Sequence, residues 1–150
     1  MHADFEMAIE SNTRQTDATV LKVLLVDDEE MMHEMTRLCL DSNEYSLVSA
    51  KNVDEARKEI ESSFPPDIII TDAMMGGESG FSLITSMKSN PVTSKIPIIL
   101  WTVLEQVNGS VMDSSGKADI TMSKPFNLPN ILDSLTKARQ MIRPNLEILF

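Results

Sequence analysis

The chain has 150 residues, a length that suits one domain with a complete hydrophobic core. Its formal net charge of -10 disfavours direct contact with nucleic acid and with anionic membranes, because an acidic surface repels their phosphate groups. Cys39 is the only cysteine, which excludes an intramolecular disulfide. The sequence shows neither a basic signal-peptide start nor an apolar run of roughly 20 residues, so we expect a cytoplasmic protein.

The first half of the chain contains two predicted strands, each followed by a predicted helix. Residues 1–20 are mostly polar without a steady period, and we expect them to form a flexible leader. Leu21–Val26 is the first predicted strand, and Ser46–Ala50 is a second, less apolar strand nearer the sheet edge. A capping pattern and helical spacing predict the second helix at Val53–Ser62, and the prolines that follow end it.

The helix predicted after the first strand is amphipathic. Four side chains recur there at helical spacing and are expected to form its buried face: Met31, Met35, Leu38 and Cys39. His33 has no second metal-type ligand nearby in the sequence, so we expect it to be an exposed helix residue.

The second half of the chain continues the alternation of strands and helices. Three strands and two helices are predicted, in chain order Asp67–Asp72, Phe81–Ser89, Ile96–Thr102, Ile120–Ser123 and Asn127–Ile142. Glycine, asparagine and serine make Val103–Lys117 a weak helix former, and residues 143–150 are a C-terminal tail. Five rounds of strand then helix predict an α/β fold with a parallel sheet and helices on both faces.

Polar residues follow four of these apolar runs at the point where each run ends. They are Asp27, Asp28, Asp72, Thr102 and Lys124. Ligands of open α/β sheets bind beyond the carboxyl ends of the strands, so we expect these side chains to meet at one rim. The repulsion among three carboxylates favours a divalent cation, and Mg²⁺ prefers oxygen ligands.

The same residues carry the chemistry of phosphoryl transfer. Lys124 offers a positive charge to phosphate oxygens, and the Thr102 hydroxyl offers one more hydrogen bond. A carboxylate can itself be the nucleophile and form an aspartyl-phosphate. Asp72 stands alone after the central strand, which makes it the candidate nucleophile while Asp28 holds the metal.

Each of these residues also has a purely structural explanation. Asp27 and Asp28 could cap the following helix, and Asp72 could begin a turn. Thr102 taken alone could be structural, and Lys124 could belong to a surface turn with the proline that follows it. Their occurrence together, each at a strand end, favours the functional interpretation.

Four segments of the chain resemble the receiver domain of bacterial two-component response regulators. They are VLLVDDEE (23–30), PDIIITDAMMGGESG (66–80), PIILWT (97–102) and SKPF (123–126). The resemblance covers residues 21–142, which we expect to be the receiver domain. It implies a flavodoxin-like, doubly wound (βα)5 fold with a five-stranded parallel sheet.

The resemblance also implies a role for each residue of the rim. Asp72 would be the phosphoacceptor, and Asp27, Asp28, Asp72 and the backbone carbonyl of Met74 would bind Mg²⁺ or Mn²⁺. Thr102 would be the switch hydroxyl and Lys124 the phosphate contact, with a cis peptide bond before Pro125. The protein would not be an enzyme. Its partners would be a histidine kinase or phosphotransfer protein, and an output protein or an output domain missing from this chain.

Three residues depart from the pattern of that family. Gly76 replaces the usual proline, which predicts a looser loop after the phosphoacceptor. Val103 stands where a smaller residue is usual, and its branched side chain would narrow access to the phosphoryl group. Thr121 stands where many receivers carry an aromatic switch residue, so the usual coupling to that residue is in doubt.

Three other functions compete with this interpretation. A metal-dependent aspartyl-phosphate phosphatase would need a second carboxylate two residues after Asp72, where the chain has Met74. A pseudo-receiver would bind partners without phosphorylation. A flavodoxin-like cofactor binder would need a phosphate-binding loop after the first strand, where the acidic run of residues 27–30 would repel a phosphate.

Overall fold

The computed structural model describes residues 20–75, 79–103 and 118–142. Strands and helices alternate along these ranges, as β1 (Leu21–Val26), α1 (Glu30–Cys39), β2 (Tyr45–Ala50), α2 (Val53–Ile60), β3 (Ile68–Asp72), α3 (Gly80–Lys88), β4 (Ile98–Thr102), β5 (Ile120–Ser123) and α4 (Leu128–Ile142). Four predicted features lie outside the described residues: the leader up to residue 19, Gly76, the weak helix former after Val103, and the C-terminal tail.

The five strands form one parallel sheet in the order β2-β1-β3-β4-β5. This order is that of the flavodoxin-like doubly wound fold, in which the winding direction reverses between β1 and β3. The predicted fold class is therefore confirmed. Val26 pairs with Thr71, so the residues that follow them, Asp27 and Asp72, leave neighbouring strands at the reversal point.

The strands β1, β3 and β4 are buried on both faces of the sheet, which explains why they are largely continuous apolar runs. Val23 and Leu25 of β1 face one core cluster, which includes side chains of α1 and α4. Leu24 and Val26 face the other, which includes side chains of α2 and α3. The helices thus cover both faces and leave the carboxyl ends of the strands open at one rim.

Helix α1 turns a different face to the core from the one expected. Met31 and Leu38 are exposed, so the predicted buried face is wrong for these two residues. The buried side chains of the helix are Met32, His33 and Thr36. The Thr36 hydroxyl donates to the Met32 carbonyl at 2.6 Å, which satisfies a polar group that would otherwise be costly to bury.

Helices α2 and α3 begin with side-chain caps. The Asn52 side chain accepts a hydrogen bond from the Glu55 backbone N–H at 2.8 Å, and the Glu55 carboxylate accepts from the Lys51 N–H at 3.0 Å. The predicted capping pattern is therefore present, with the return bond displaced by one residue. The Ser79 hydroxyl caps α3 in the same way by accepting from Ser82. No helix in the described ranges has the length and hydropathy needed to cross a bilayer.

Candidate functional site

Three carboxylates come together where β1 and β3 end. One oxygen atom from each of Asp27, Asp28 and Asp72 can be chosen so that all three lie within 4.8 Å of one another. Asp27 has no exposed surface, Asp72 is 6 % exposed, and Asp28 is open to solvent. This combination has the oxygen ligands and the excess negative charge that suit a divalent cation reached from the solvent.

Lys124 reaches this cluster from the end of β5. Its Nζ lies 2.9 Å from Oδ2 of Asp27, 3.4 Å from Oδ2 of Asp72 and 3.6 Å from Oε1 of Glu29. Its backbone N–H donates to the Thr102 carbonyl at 2.8 Å, which ties it to the end of β4. The Lys124–Pro125 peptide bond is cis. Four distant segments of the chain therefore converge on one rim.

The charges at this rim perturb one another. Burial raises the pKa of Asp72, and the neighbouring Asp27 raises it further, while Lys124 counteracts both. Burial alone would lower the pKa of Lys124, but its hydrogen bond to Asp27 and the charges of Asp27, Asp72 and Glu29 outweigh burial, so the pKa is raised. Lys124 therefore stays charged at neutral pH.

Asp27 is held through both its backbone and its side chain. Its N–H donates to the Ala50 carbonyl at 3.0 Å, and its Oδ1 accepts from the Glu29 N–H at 2.9 Å. Its own carbonyl accepts from Nε2 of His33 at 2.7 Å. Glu29 is the N-cap of α1 and makes no side-chain capping bond.

His33 is buried, with 1 % of its surface exposed, so the expectation of an exposed residue is wrong. Its hydrogen bond to the Asp27 carbonyl places the ring next to the backbone of the acidic pair. Apolar periodicity did not predict the burial of His33, because a polar side chain is not expected on the buried face of a helix. Helical spacing does not link His33 to Asp27 either, because the two residues are six positions apart and Asp27 precedes the helix.

The sequence agrees with this geometry. Residues 23–136 match the model of the family described as the response regulator receiver domain. The chain belongs to the response regulator receiver domain family. Members of this family are signalling modules of two-component pathways.

Relatives of this receiver domain include longer regulatory proteins. The phosphate regulon transcriptional regulatory protein PhoB of Escherichia coli is 28% identical over 123 residues, which are 82% of this chain and 53% of PhoB. The transcriptional regulatory protein ResD of Bacillus subtilis is 32% identical over 114 residues, or 75% of this chain and 45% of ResD. The chain thus spans about half the length of the curated relatives it matches.

Solved structures share the fold of this receiver domain. A putative response regulator from Chloroflexus aurantiacus has a TM-score of 0.70 at 25% identity, covering 80% of this chain and 98% of that chain. The response regulator protein TrrA from Thermotoga maritima, solved in complex with Mg²⁺ and BeF, has a TM-score of 0.65 at 26% identity, covering 79% and 98%.

Thr102 and Met74 complete the predicted site residues, and they lie at the end of β4 and just after β3. Thr102 ends β4 with 1 % of its surface exposed. The Met74 N–H points towards Oδ1 of Asp72 at 3.4 Å, and the Met74 side chain is exposed. Val103 is 42 % exposed, so its side chain is not part of the core. Thr121 is an exposed residue of β5.

An aromatic pair, Trp101 and Phe126, lies beside Lys124. The ring of the buried Trp101 contacts that of Phe126, with the centroids 5.9 Å apart. The Lys124 Nζ lies 6.0 Å from the Trp101 ring centroid, at the outer limit of a cation–π contact. Trp101 pairs with Asp72 across β3 and β4, which places the only tryptophan of the chain beside the rim.

The start of α3 approaches the backbone at the end of β3 closely. The Gly80 N–H donates to the Ala73 carbonyl at 3.0 Å. A Cβ atom at Gly80 would overlap the carbonyl oxygen of Asp72. Only glycine therefore lets the first turn of α3 lie directly against the end of β3.

Proposed function

We propose that this receiver domain accepts a phosphoryl group on Asp72, with Mg²⁺ bound beside it, from a histidine kinase or a phosphotransfer protein. Phosphorylation would change the conformation at the rim and so control the binding of an output protein or an output domain. The convergence of Asp27, Asp28 and Asp72 with Lys124 is the observation that carries this proposal.

The carboxylates of Asp27, Asp28 and Asp72 and the backbone carbonyl of Met74 are the proposed ligands of the cation. The choice of ligands rests on the chemistry of the cluster, because three carboxylates face a single lysine. When bound, Mg²⁺ offsets the negative charge of the carboxylates and of the incoming phosphoryl oxygens. Mn²⁺ would suit the same oxygen ligands.

Asp72 is the proposed nucleophile. One of its carboxylate oxygens attacks the phosphorus atom, and an O–P bond forms while the P–N bond of the donor phosphohistidine breaks. The electron pair of that bond leaves with the imidazole nitrogen. Burial raises the pKa of Asp72, and the positive charge of Lys124 partly offsets that effect.

Lys124 and Thr102 are the proposed contacts of the transferred group. Lys124 already lies between Asp27 and Asp72, so its ammonium group is in position to pair with phosphoryl oxygens on Asp72. Thr102 supplies a hydroxyl at the end of the neighbouring strand. Movement of Thr102 towards the phosphoryl oxygens is the proposed start of the switch.

The competing functions fit the site less well. A metal-dependent aspartyl-phosphate phosphatase lacks its general acid, because Met74 occupies the required position. A pseudo-receiver does not require the complete set of three carboxylates and Lys124 at one rim. We therefore propose a signalling switch that is not an enzyme, with Val103 and Thr121 as the residues that distinguish its kinetics from those of other receivers.

We further propose residues 21–142 as the receiver unit, with residues 1–20 as a leader and residues 143–150 as a tail. This division rests on the family match to residues 23–136 and on the elements that run from β1 to α4. PhoB and ResD are transcriptional regulatory proteins, which suggests an output by way of another domain or protein. The cytoplasm is the proposed location.

A small phosphodonor tests the proposal directly. The wild type is incubated with acetyl phosphate and Mg²⁺, and its intact mass is measured beside that of Asp72→Asn. Asp54→Asn is the matched control, because Asp54 is an exposed carboxylate on α2. We expect the wild type and the control to gain one phosphoryl group and Asp72→Asn to gain none. A gain in all three proteins, or in none, contradicts the proposal.

A further inference from the structure

His33 is a buried polar residue whose ring nitrogen Nε2 bonds to the backbone carbonyl of Asp27. It lies in the first turns of α1, and its Nε2 is 2.7 Å from the carbonyl oxygen of Asp27. A carbonyl oxygen can only accept a hydrogen bond, so Nε2 carries the hydrogen and donates it. The other ring nitrogen, Nδ1, is buried and has no hydrogen-bond partner among the described residues.

The free energy of this arrangement argues against a role in stability alone. A buried polar atom without a partner costs about 1–3 kcal/mol, which offsets much of what the single bond from Nε2 contributes. An apolar side chain of similar shape would fill the same volume without leaving Nδ1 unsatisfied. The bond to Asp27 is therefore the feature that distinguishes a histidine from a phenylalanine at this position.

The carbonyl that His33 holds belongs to the peptide group that joins Asp27 to Asp28. That peptide group is planar, so holding its oxygen fixes the backbone rotation on both sides of it. The Asp27 N–H is already bound to Ala50 in the neighbouring strand. A second anchor on the same residue then fixes the direction in which both carboxylates leave the backbone.

We propose that His33 is a positioning residue that orients the acidic pair for a divalent cation through the Asp27–Asp28 peptide group. The inference rests on the proposed function, because it concerns the same cation site. Metal-binding residues are commonly held by outer hydrogen bonds of this kind, and loss of one typically weakens metal affinity about 10–100-fold. His33 itself touches neither the cation nor the phosphoryl group.

Three substitutions at His33 separate the hydrogen bond from packing. His33→Phe keeps a ring and removes the donor. His33→Gln places an amide N–H near the position of Nε2, so it can restore the bond. His33→Asn keeps a polar amide but is too short to reach the Asp27 carbonyl. The control is Thr36→Val, which removes another buried hydrogen bond one turn along the same helix, to the carbonyl of Met32 and not to that of Asp27.

The measurement is the Mg²⁺ affinity of each protein without any phosphodonor. Trp101 is the only tryptophan and lies beside Lys124, so its fluorescence is followed during a Mg²⁺ titration. The rise in melting temperature with Mg²⁺ provides a second reading of the same affinity. We expect the Kd of His33→Phe and His33→Asn to rise about 10-fold, with His33→Gln and Thr36→Val close to the wild type.

The outcomes distinguish this inference from the proposed function. If the wild type shows no response to Mg²⁺ by either reading, the proposed cation site itself fails. If the wild type binds Mg²⁺ and His33→Phe binds it equally well, the positioning role is overturned while the proposed function stands. If His33→Phe does not fold, equal affinities of His33→Asn and His33→Gln overturn it in the same way.

Discussion

Lys124 is the single positive charge in contact with the buried carboxylates of the described rim, and its removal gives the sharpest test of the site. Lys124 is 12% exposed and lies 2.9 Å from Asp27, whose side chain is fully buried, and 3.4 Å from Asp72. Removing one partner of a buried ion pair costs about 3–5 kcal/mol, because the other charge stays buried without compensation. Since the rim opens to solvent at Asp28, we expect the lower end, about 3 kcal/mol, for Lys124→Met.

Lys137→Met is the matched control for this prediction. Lys137 pairs with Asp133 at 3.0 Å on the exposed face of α4, where such a pair contributes less than about 0.5 kcal/mol. Both variants replace a lysine with an apolar side chain of similar length, so only the setting of the charge differs. About 3 kcal/mol corresponds to a fall in melting temperature of roughly 10–15 °C for a domain of this size.

Urea unfolding with and without Mg²⁺ measures both effects. In chelator, Lys124→Met should unfold at a much lower urea concentration than Lys137→Met. Added Mg²⁺ should reduce the difference in stability between Lys124→Met and the wild type, because a cation bound by the three carboxylates replaces the lost positive charge. The reasoning would be refuted if Lys124→Met and Lys137→Met lost the same free energy of unfolding. It would also be refuted if Mg²⁺ left the difference in stability between Lys124→Met and the wild type unchanged.

Three further predictions address single residues of the rim. Burial raises the pKa of Asp72 above its ordinary value of 3.8, so the native state binds this proton more tightly than the unfolded chain does, and native stability falls as pH rises from the unfolded to the native pKa. Without divalent cations, Asp72→Asn should therefore be more stable than the wild type at pH 7, with the difference vanishing below about pH 4 in urea unfolding; a less stable variant at pH 7 contradicts this. Gly80→Ala should lower the free energy of unfolding by about 3 kcal/mol or more, because its Cβ would overlap the Asp72 carbonyl. Thr85→Ala, at an exposed site of the same helix, should change stability little. Equal melting temperatures for the two variants would be inconsistent with the close approach of Gly80 to Asp72. Val103→Ala should accelerate phosphorylation by acetyl phosphate or the decay of the phosphorylated protein several-fold at unchanged stability, because Val103 is largely exposed; unchanged rates would remove the idea that its branched side chain narrows access.

The strands could be predicted well from the sequence because their burial is simple. β1, β3 and β4 are buried almost throughout, so nearly every residue of these strands must be apolar and the runs stand out. β1 and β5 have the bounds predicted for them, Leu21–Val26 and Ile120–Ser123. β4 begins at Ile98, later than predicted, because Ile96 still belongs to the preceding turn, where its N–H donates to Thr93.

The buried face of α1 could not be predicted because two of its three buried residues are polar. The Thr36 hydroxyl and the His33 ring each find a backbone carbonyl, and these bonds allow them to be buried. Met31 and Leu38 are apolar but face the solvent. Hydrophobic periodicity depends on residue types alone, so it cannot show which polar side chains will be buried because they form hydrogen bonds.

The residue types and spacing determined by themselves that this is a parallel α/β domain with polar residues at or just beyond the carboxyl ends of its strands: Asp27, Asp28, Asp72, Thr102 and Lys124. Apolar runs and polar strand ends are local properties, so one sequence records them fully. Only the tertiary structure decided the distances within the rim, the burial of His33 and the contact of Lys124 with both Asp27 and Asp72. These depend on strand order and on side-chain packing between segments up to about a hundred residues apart, which the local pattern of any one segment does not contain.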